Sequence, residues 1–264
     1  MDALLVILAI VAYSLAMAVI LPGLLHKKGI PMSKALTLSG VGLLAHGALT
    51  ASLIFEGQGQ NLGLLNVTLL VSFIISCALT ITIPKTKLWF LLPIAYGFSI
   101  LNLIAATWLP VDYITHLEGR FGIVFHVSMA LFSYATLTIA ALYALQMAWL
   151  DYKLKHKNSQ ALNPNLPPLL KVERQLFNLI LVGTGLLSVT LVTGLLFVPD
   201  IFASGKGHKI LFSFAAWIIY SVLIWGHFKQ GWRGNKVTWM TLIGAICLTL
   251  GYFGSRFVRE VLLT

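Results

Sequence analysis

Phe121-Gly-Ile-Val-Phe-His-Val-Ser-Met-Ala-Leu-Phe-Ser-Tyr-Ala-Thr-Leu-Thr-Ile-Ala-Ala-Leu-Tyr-Ala-Leu-Gln-Met-Ala-Trp149 contains no Asp, Glu, Lys or Arg. A helix needs about 20 mostly apolar residues to cross the hydrocarbon of a bilayer. This run exceeds that length, so it reads as a spanning helix that tilts or projects beyond the bilayer, with its N-terminal turn in the outer interface. Seven more apolar runs, at 3–22, 35–55, 63–83, 88–108, 176–198, 209–228 and 237–256, have the length and character of spans. The predicted fold is therefore all-α, a polytopic membrane bundle of eight transmembrane helices forming one integral membrane domain over 1–264.

Composition agrees with that reading. The chain is 58% hydrophobic and 10% charged, against about 25% charged in a soluble domain, and no polar stretch is long enough to fold alone. The first run follows Met1-Asp2 rather than a basic segment, and Leu21-Pro22-Gly23 is a poor cleavage site, so it is kept as a helix rather than a signal peptide. Cys77 and Cys247 lie in separate apolar runs and form no CxxC, which points to packing thiols. The net charge of +10 is divided among short loops, so nucleic acid is excluded as a partner.

Charge also orients the chain. Eight spans put both termini on one side, and alternate loops divide the cations unequally. Lys27, Lys28, Lys34, Lys85, Lys87, Lys153, Lys155, Lys157, Lys171, Arg174, Lys229, Arg233 and Lys236 fall on one face, and only Arg120, Lys206, Lys209, Arg256 and Arg259 on the other. The richer face is expected in the cytoplasm, with both termini outside, periplasmic in a bacterial inner membrane. Short loops make consecutive helices antiparallel neighbours. Asn163-Pro-Asn-Leu-Pro-Pro168 breaks helical structure and is expected to separate a five-span half from a three-span half. No internal repeat supports an inverted-repeat transporter.

Ionisable groups inside spans are costly and therefore candidates for function. No Asp, Glu or Lys lies deep in a span, which excludes a relay built on a buried carboxylate. Three histidines remain in spans: His46, His126 and His227. At about 1.5 Å per residue, His46 lies roughly 13 Å and His126 roughly 8 Å from the outer ends of their helices. His227 lies near the cytoplasmic end of its own. Two neutral imidazoles at one level of a bundle form an axial pair for a haem iron, whose porphyrin supplies the other four nitrogens. The alternative is that each histidine hydrogen-bonds a neighbouring helix. Zinc lacks a third ligand and any HExxH, and Ser/His/Asp catalysis lacks GxSxG and a deep acid.

Other polar and small residues have simpler readings. Arg120, between Gly119 and Gly122 at the outer mouth of the fifth span, suits a haem propionate, a lipid headgroup or Glu118. Asn61 is expected to cap the third span, and most of the tryptophans to anchor in the interface, with Trp217 deeper. Gly40-Val-Gly42, Gly183-Thr-Gly185 and Gly244-Ala245 are expected to let helices approach closely.

Three strings occur in the order found in the cytochrome c assembly membrane family: Gln60-Asn-Leu-Gly-Leu-Leu-Asn-Val67, Phe125-His-Val-Ser-Met-Ala-Leu-Phe-Ser-Tyr-Ala-Thr136, and Trp217-Ile-Ile-Tyr220 leading into Gly231-Trp-Arg-Gly234. The chain resembles that family over most of its length. Through Tyr113-Ile-Thr-His-Leu-Glu118, Ala140-Ala-Leu-Tyr-Ala-Leu-Gln146 and Trp225-Gly-His-Phe228 it is most similar to eight-span inner-membrane members. The resemblance implies a membrane protein that handles haem, with haem b as the cofactor. His126 occupies the place of an external haem ligand of CcsA-like members, His46 supplies the second ligand, and His116 stands as a substitute outer ligand. The Trp-rich external motif of those members is replaced here by Phe202-Ala-Ser-Gly-Lys-Gly-His-Lys209, and a further external histidine is missing before Val261-Leu-Leu-Thr264. Haem binding is thus expected more than haem delivery to apocytochrome c, and binding more than catalysis. A scaffold or regulatory subunit that keeps the fold without the cofactor, supporting a membrane-protein partner, is the second reading. A small-molecule transporter with a continuous polar path is the third.

Overall fold

The computed structural model describes residues 2–25, 29–55, 59–86, 89–109, 113–117, 119–156, 168–199 and 207–254. His26, Glu118, residues 163–167 of the Pro-rich run, 202–206 before the seventh span and the chain beyond 254 lie outside the described residues. Among the described residues, eight helices are long and apolar enough to cross a membrane. They are α1 (Asp2–Leu25), α2 (Met32–Ile54), α3 (Leu64–Thr86), α4 (Leu91–Trp108), α5 (Phe121–Lys155), α6 (Leu169–Phe197), α7 (Gly207–Gln230) and α8 (Asn235–Thr249), the last continuing as a π-helical turn over Leu250–Gly254. Two two-residue strands, β1 (Gln60–Asn61) and β2 (Ile114–Thr115), are the other regular elements among the described residues. The all-helical prediction holds in this form.

Helices satisfy every interior backbone group within one segment, which is what a bilayer demands of a spanning chain. Pro22 and Pro84 fall close to the C-terminal ends of α1 and α3, where they break little. Many buried hydroxyls are bonded within the helix that carries them or to a neighbouring helix, although that of Thr184 makes no hydrogen bond. Thr50 donates to the carbonyl of His46 and Thr241 to that of Val237, so neither faces the apolar interior unbonded.

The helices sort into two compact units, α1–α4 with both strands in the first and α5–α8 in the second. In the first, α1 packs on α2 and α4, and α3 packs on the same two, so consecutive antiparallel helices close into a four-membered ring. The second closes in the same way, with α5 and α7 each packed on α6 and α8. The division departs from the expected five-plus-three arrangement. It falls at Leu117, before α5, because α5 makes its most extensive contact with α6. A helix-breaking sequence ends a helix but does not decide which neighbours that helix packs against.

Two boundaries also differ from the sequence reading. Helix α5 begins at Phe121 as expected but runs to Lys155, a length of about 52 Å. The helix is longer than a hydrocarbon core of about 30 Å requires, and its extension beyond the expected end at Trp149 is at the C-terminus. There Asp151 and Lys155 form an i,i+4 ion pair at 2.7 Å, Lys153 lies 5.4 Å over Trp149, and the tail remains helical although polar. Helix α6 likewise begins at Leu169, before the apolar run at 176.

Candidate functional site

The first unit encloses His46. Its ring is fully buried on α2, with Nδ1 3.1 Å from the hydroxyl of Tyr13 on α1. Tyr13 stacks on Tyr96 of α4 at a centroid distance of 4.7 Å, and Phe73 of α3 meets the imidazole edge-on at 5.5 Å. All four helices of the unit therefore contribute a ring. Tyr96 is tied to Thr80 of α3 at 2.8 Å, and Ser76 to Ser99 at 2.8 Å. Gly42 makes the α1–α2 approach possible, since a Cβ there would lie 2.8 Å from the Tyr13 ring. On the far side of the imidazole, Nε2 is buried and makes no hydrogen bond. His46 is thus fixed on one side by Tyr13, while its Nε2 makes no hydrogen bond and the Leu69 backbone lies beside the ring.

At one end of the same unit the α2–α3 and α4–α5 connections are clasped together. Strands β1 and β2 pair antiparallel, Gln60 with Thr115 and Asn61 with Ile114. The Asn61 side chain accepts from the backbone N–H of Gly63 at 3.2 Å and of Tyr113 at 3.1 Å. Asn61 therefore joins two connections in addition to introducing α3, a wider role than the cap expected of it. His116 follows β2 and is exposed, near Gly59, which adopts φ 144°.

His126 belongs to the second unit. It is partly buried on α5, and its Nδ1 lies 3.1 Å from the Thr190 carbonyl and 3.2 Å from Thr193 Oγ1, both on α6. A carbonyl can only accept, so Nδ1 carries the proton. The Thr193 hydroxyl gives its own hydrogen to α6 carbonyls, which leaves it an acceptor as well. Nε2 consequently keeps its lone pair, the tautomer in which an imidazole binds a metal, and a backbone carbonyl holding the opposite N–H is the usual support of such a ligand. Close helix approach sets up the arrangement, for a Cβ on Gly122 would overlap Phe197 and one on Gly183 would lie 2.6 Å from Leu137. Arg120 is exposed at the start of α5, its carbonyl accepting from Ile123 and Val124. Trp217 donates to Ser188 at 2.8 Å and stacks on Phe214.

The four sequence-predicted residues thus divide by unit, His46 and His116 in the first, Arg120 and His126 in the second. Among the described residues no three His, Cys, Asp or Glu side chains come together as a metal site. Two features escaped the sequence reading. Tyr13 and Tyr96, which frame His46, carried only one weak signal, an aromatic hydroxyl inside an otherwise aliphatic run. The second is a polar cluster at the α6, α7 and α8 ends around Glu173, His227, Trp232 and Arg233. Glu173, which precedes the apolar run at 176, is almost buried in α6 with Arg233 3.6 Å away.

The family model described as cytochrome C assembly protein matches residues 35–263. The chain belongs to that family. It is 47% identical over 258 residues to Inner membrane protein YpjD of Escherichia coli strain K12, covering 97% of this chain and 98% of that one. It is 32% identical over 140 residues, about half of each chain, to an uncharacterized 28.8 kDa protein of Azospirillum brasilense. It is 22% identical over 157 residues, again about half of each, to Cytochrome c biogenesis protein CcsA of Prochlorococcus marinus. No solved structure matches the chain. The resemblance to inner-membrane members of the family stands, and membership of the cytochrome c assembly family points toward cytochrome c maturation.

Proposed function

We propose that this protein of the cytochrome c assembly family binds haem b in the inner membrane and handles it by binding rather than by covalent chemistry. One observation carries the reading. The Thr190 carbonyl holds His126 Nδ1–H and leaves Nε2 free to coordinate. His46 is the candidate ligand of the first unit, supported by its buried Nε2 with no hydrogen bond. His116 is the outer ligand held in reserve, and exposed Arg120 the propionate partner. Bound haem supplies an iron whose potential is tuned by its axial ligands and burial. The protein's own contribution is to fix the His126 tautomer, to hold the His46 ring in place and to exclude water.

The cation-rich loops, with thirteen of the eighteen Lys and Arg on one face, support a cytoplasmic location for that face and periplasmic termini. The test of haem binding is a visible spectrum of the detergent-purified protein, oxidised and then dithionite-reduced. The expected result is a Soret band with sharp low-spin bands on reduction. His126→Ala is expected to remove most of the haem, and His46→Ala to weaken the low-spin bands, with helical circular dichroism unchanged in both. Haem content unaffected in both variants overturns the ligand assignment. A second reading, a cofactor-free scaffold, draws on the complete enclosure of His46 by Tyr13, Phe73 and its neighbours. A spectrum that stays flat when haem is added decides for it.

A further inference from the structure

We infer that the end of the second unit where α6 begins and α7 turns into α8 is a headgroup site for an anionic phospholipid. The turn has a fixed shape. Helix α7 ends on Gly231 at φ 67°, and Gly234 at φ 65° starts α8, left-handed conformations that glycine adopts without strain. Between them the chain folds back on itself. Trp232 N–H donates to the Gly226 carbonyl at 3.1 Å, and His227 Nδ1–H donates to the Trp232 carbonyl at 3.1 Å. The Trp232 ring lies so close on Gly226 that a Cβ there would overlap it.

This turn presents two cations in a set arrangement. Lys236 Nζ sits 3.1 Å from the centroid of the Trp232 ring, a cation–π contact that fixes its position. Arg233 has a side chain 67% exposed, and its Nε is 3.6 Å from Glu173 Oε1, beyond hydrogen-bond length; that oxygen has no hydrogen bond. Most of the guanidinium fork thus faces outward. Lys171, Arg174 and Lys229, all exposed, add to the positive charge of the same three helix ends. Trp225 and Trp239, 53% and 59% exposed, stand about one turn inward on α7 and α8.

Cations at the rim with tryptophans one turn deeper match the anatomy of a phospholipid, in which phosphate lies above glycerol and acyl chains. An Arg fork takes two phosphate oxygens, a Lys adds a point charge, and indoles settle at the level of the ester groups. Basic clusters at helix ends recognise anionic headgroups in this way. Free phosphate would use the cations but not the aromatic shelf, so the lipid is the occupant.

The test uses the full chain in detergent micelles with equal phosphatidylglycerol and phosphatidylcholine, and native mass spectrometry counts retained lipid. The wild type is expected to hold phosphatidylglycerol in several-fold excess. Arg233→Gln with Lys236→Gln is expected to bring the two lipids to parity, with helical signal and melting temperature unchanged, while Lys34→Gln on α2 keeps the preference. Glu173→Gln, which removes the competing carboxylate, is expected to raise it and keeps the test open if the double variant does not fold. Equal retention in the wild type overturns the proposal, as does a preference that the double variant preserves. Displacement of the lipid by millimolar inorganic phosphate also overturns it, by assigning the cations to free phosphate.

Discussion

At the residue scale, the two histidines are held by opposite means. His126 is oriented by a carbonyl, which fixes its tautomer, whereas His46 is oriented by a hydroxyl, which either donates or accepts. Tyr13→Phe removes the polar partner of His46 and leaves the ring in place by packing alone. It is expected to cost about 1 kcal/mol, in line with single interhelical hydrogen bonds, read as a lower melting temperature in detergent. An unchanged melting temperature would mean that the stacking of residue 13 on Tyr96 and the contact of Phe73 with His46 suffice without the hydrogen bond. Both histidines were legible in the sequence because ionisable groups in apolar runs stand out. Their partners were not. Tyr13 lies 33 positions from His46 and Thr190 lies 64 from His126, and no local pattern links residues so far apart.

At the element scale, each predicted small-residue pair contains one position that matters. Gly42, Gly183 and Gly244 face Tyr13, Leu137 and Tyr220, with a Cβ falling 2.6–2.8 Å from those side chains, while Gly40 and Gly185 meet nothing within 4 Å. Gly42→Ala is expected to destabilise the protein by about 1–3 kcal/mol, the usual range for overpacking. Gly40→Ala is expected to leave the thermal midpoint unchanged. Equal effects at both positions would remove the close-approach argument. Helix existence was readable from apolar length, and the N-terminus of α5 was placed correctly. The far end of α5 was not, because hydropathy marks where the bilayer ends and not where the helix does. Asp151, Lys153 and Lys155 continue the helix through ion pairing and contact with Trp149.

At the scale of the whole molecule, orientation and partition have different origins. The uneven loop charge predicts that alkaline phosphatase fused after Lys155 stays inactive, whereas fusions after Phe197 or after Thr264 are active in the periplasm. The reverse pattern would invert the assigned topology. The sequence by itself determined eight apolar segments, the candidate histidines and the kinship with cytochrome c assembly proteins, because bilayer thickness and the cost of buried charge act on each segment separately. The tertiary structure alone decided that α5 joins α6–α8, that Tyr13 holds His46, that a carbonyl sets the His126 tautomer and that Trp232 folds onto Gly226 beneath Lys236. Those choices depend on which helix faces meet. In an apolar medium that is governed by side-chain shape and a few interhelical hydrogen bonds, not by hydrophobicity, which is nearly uniform along every span.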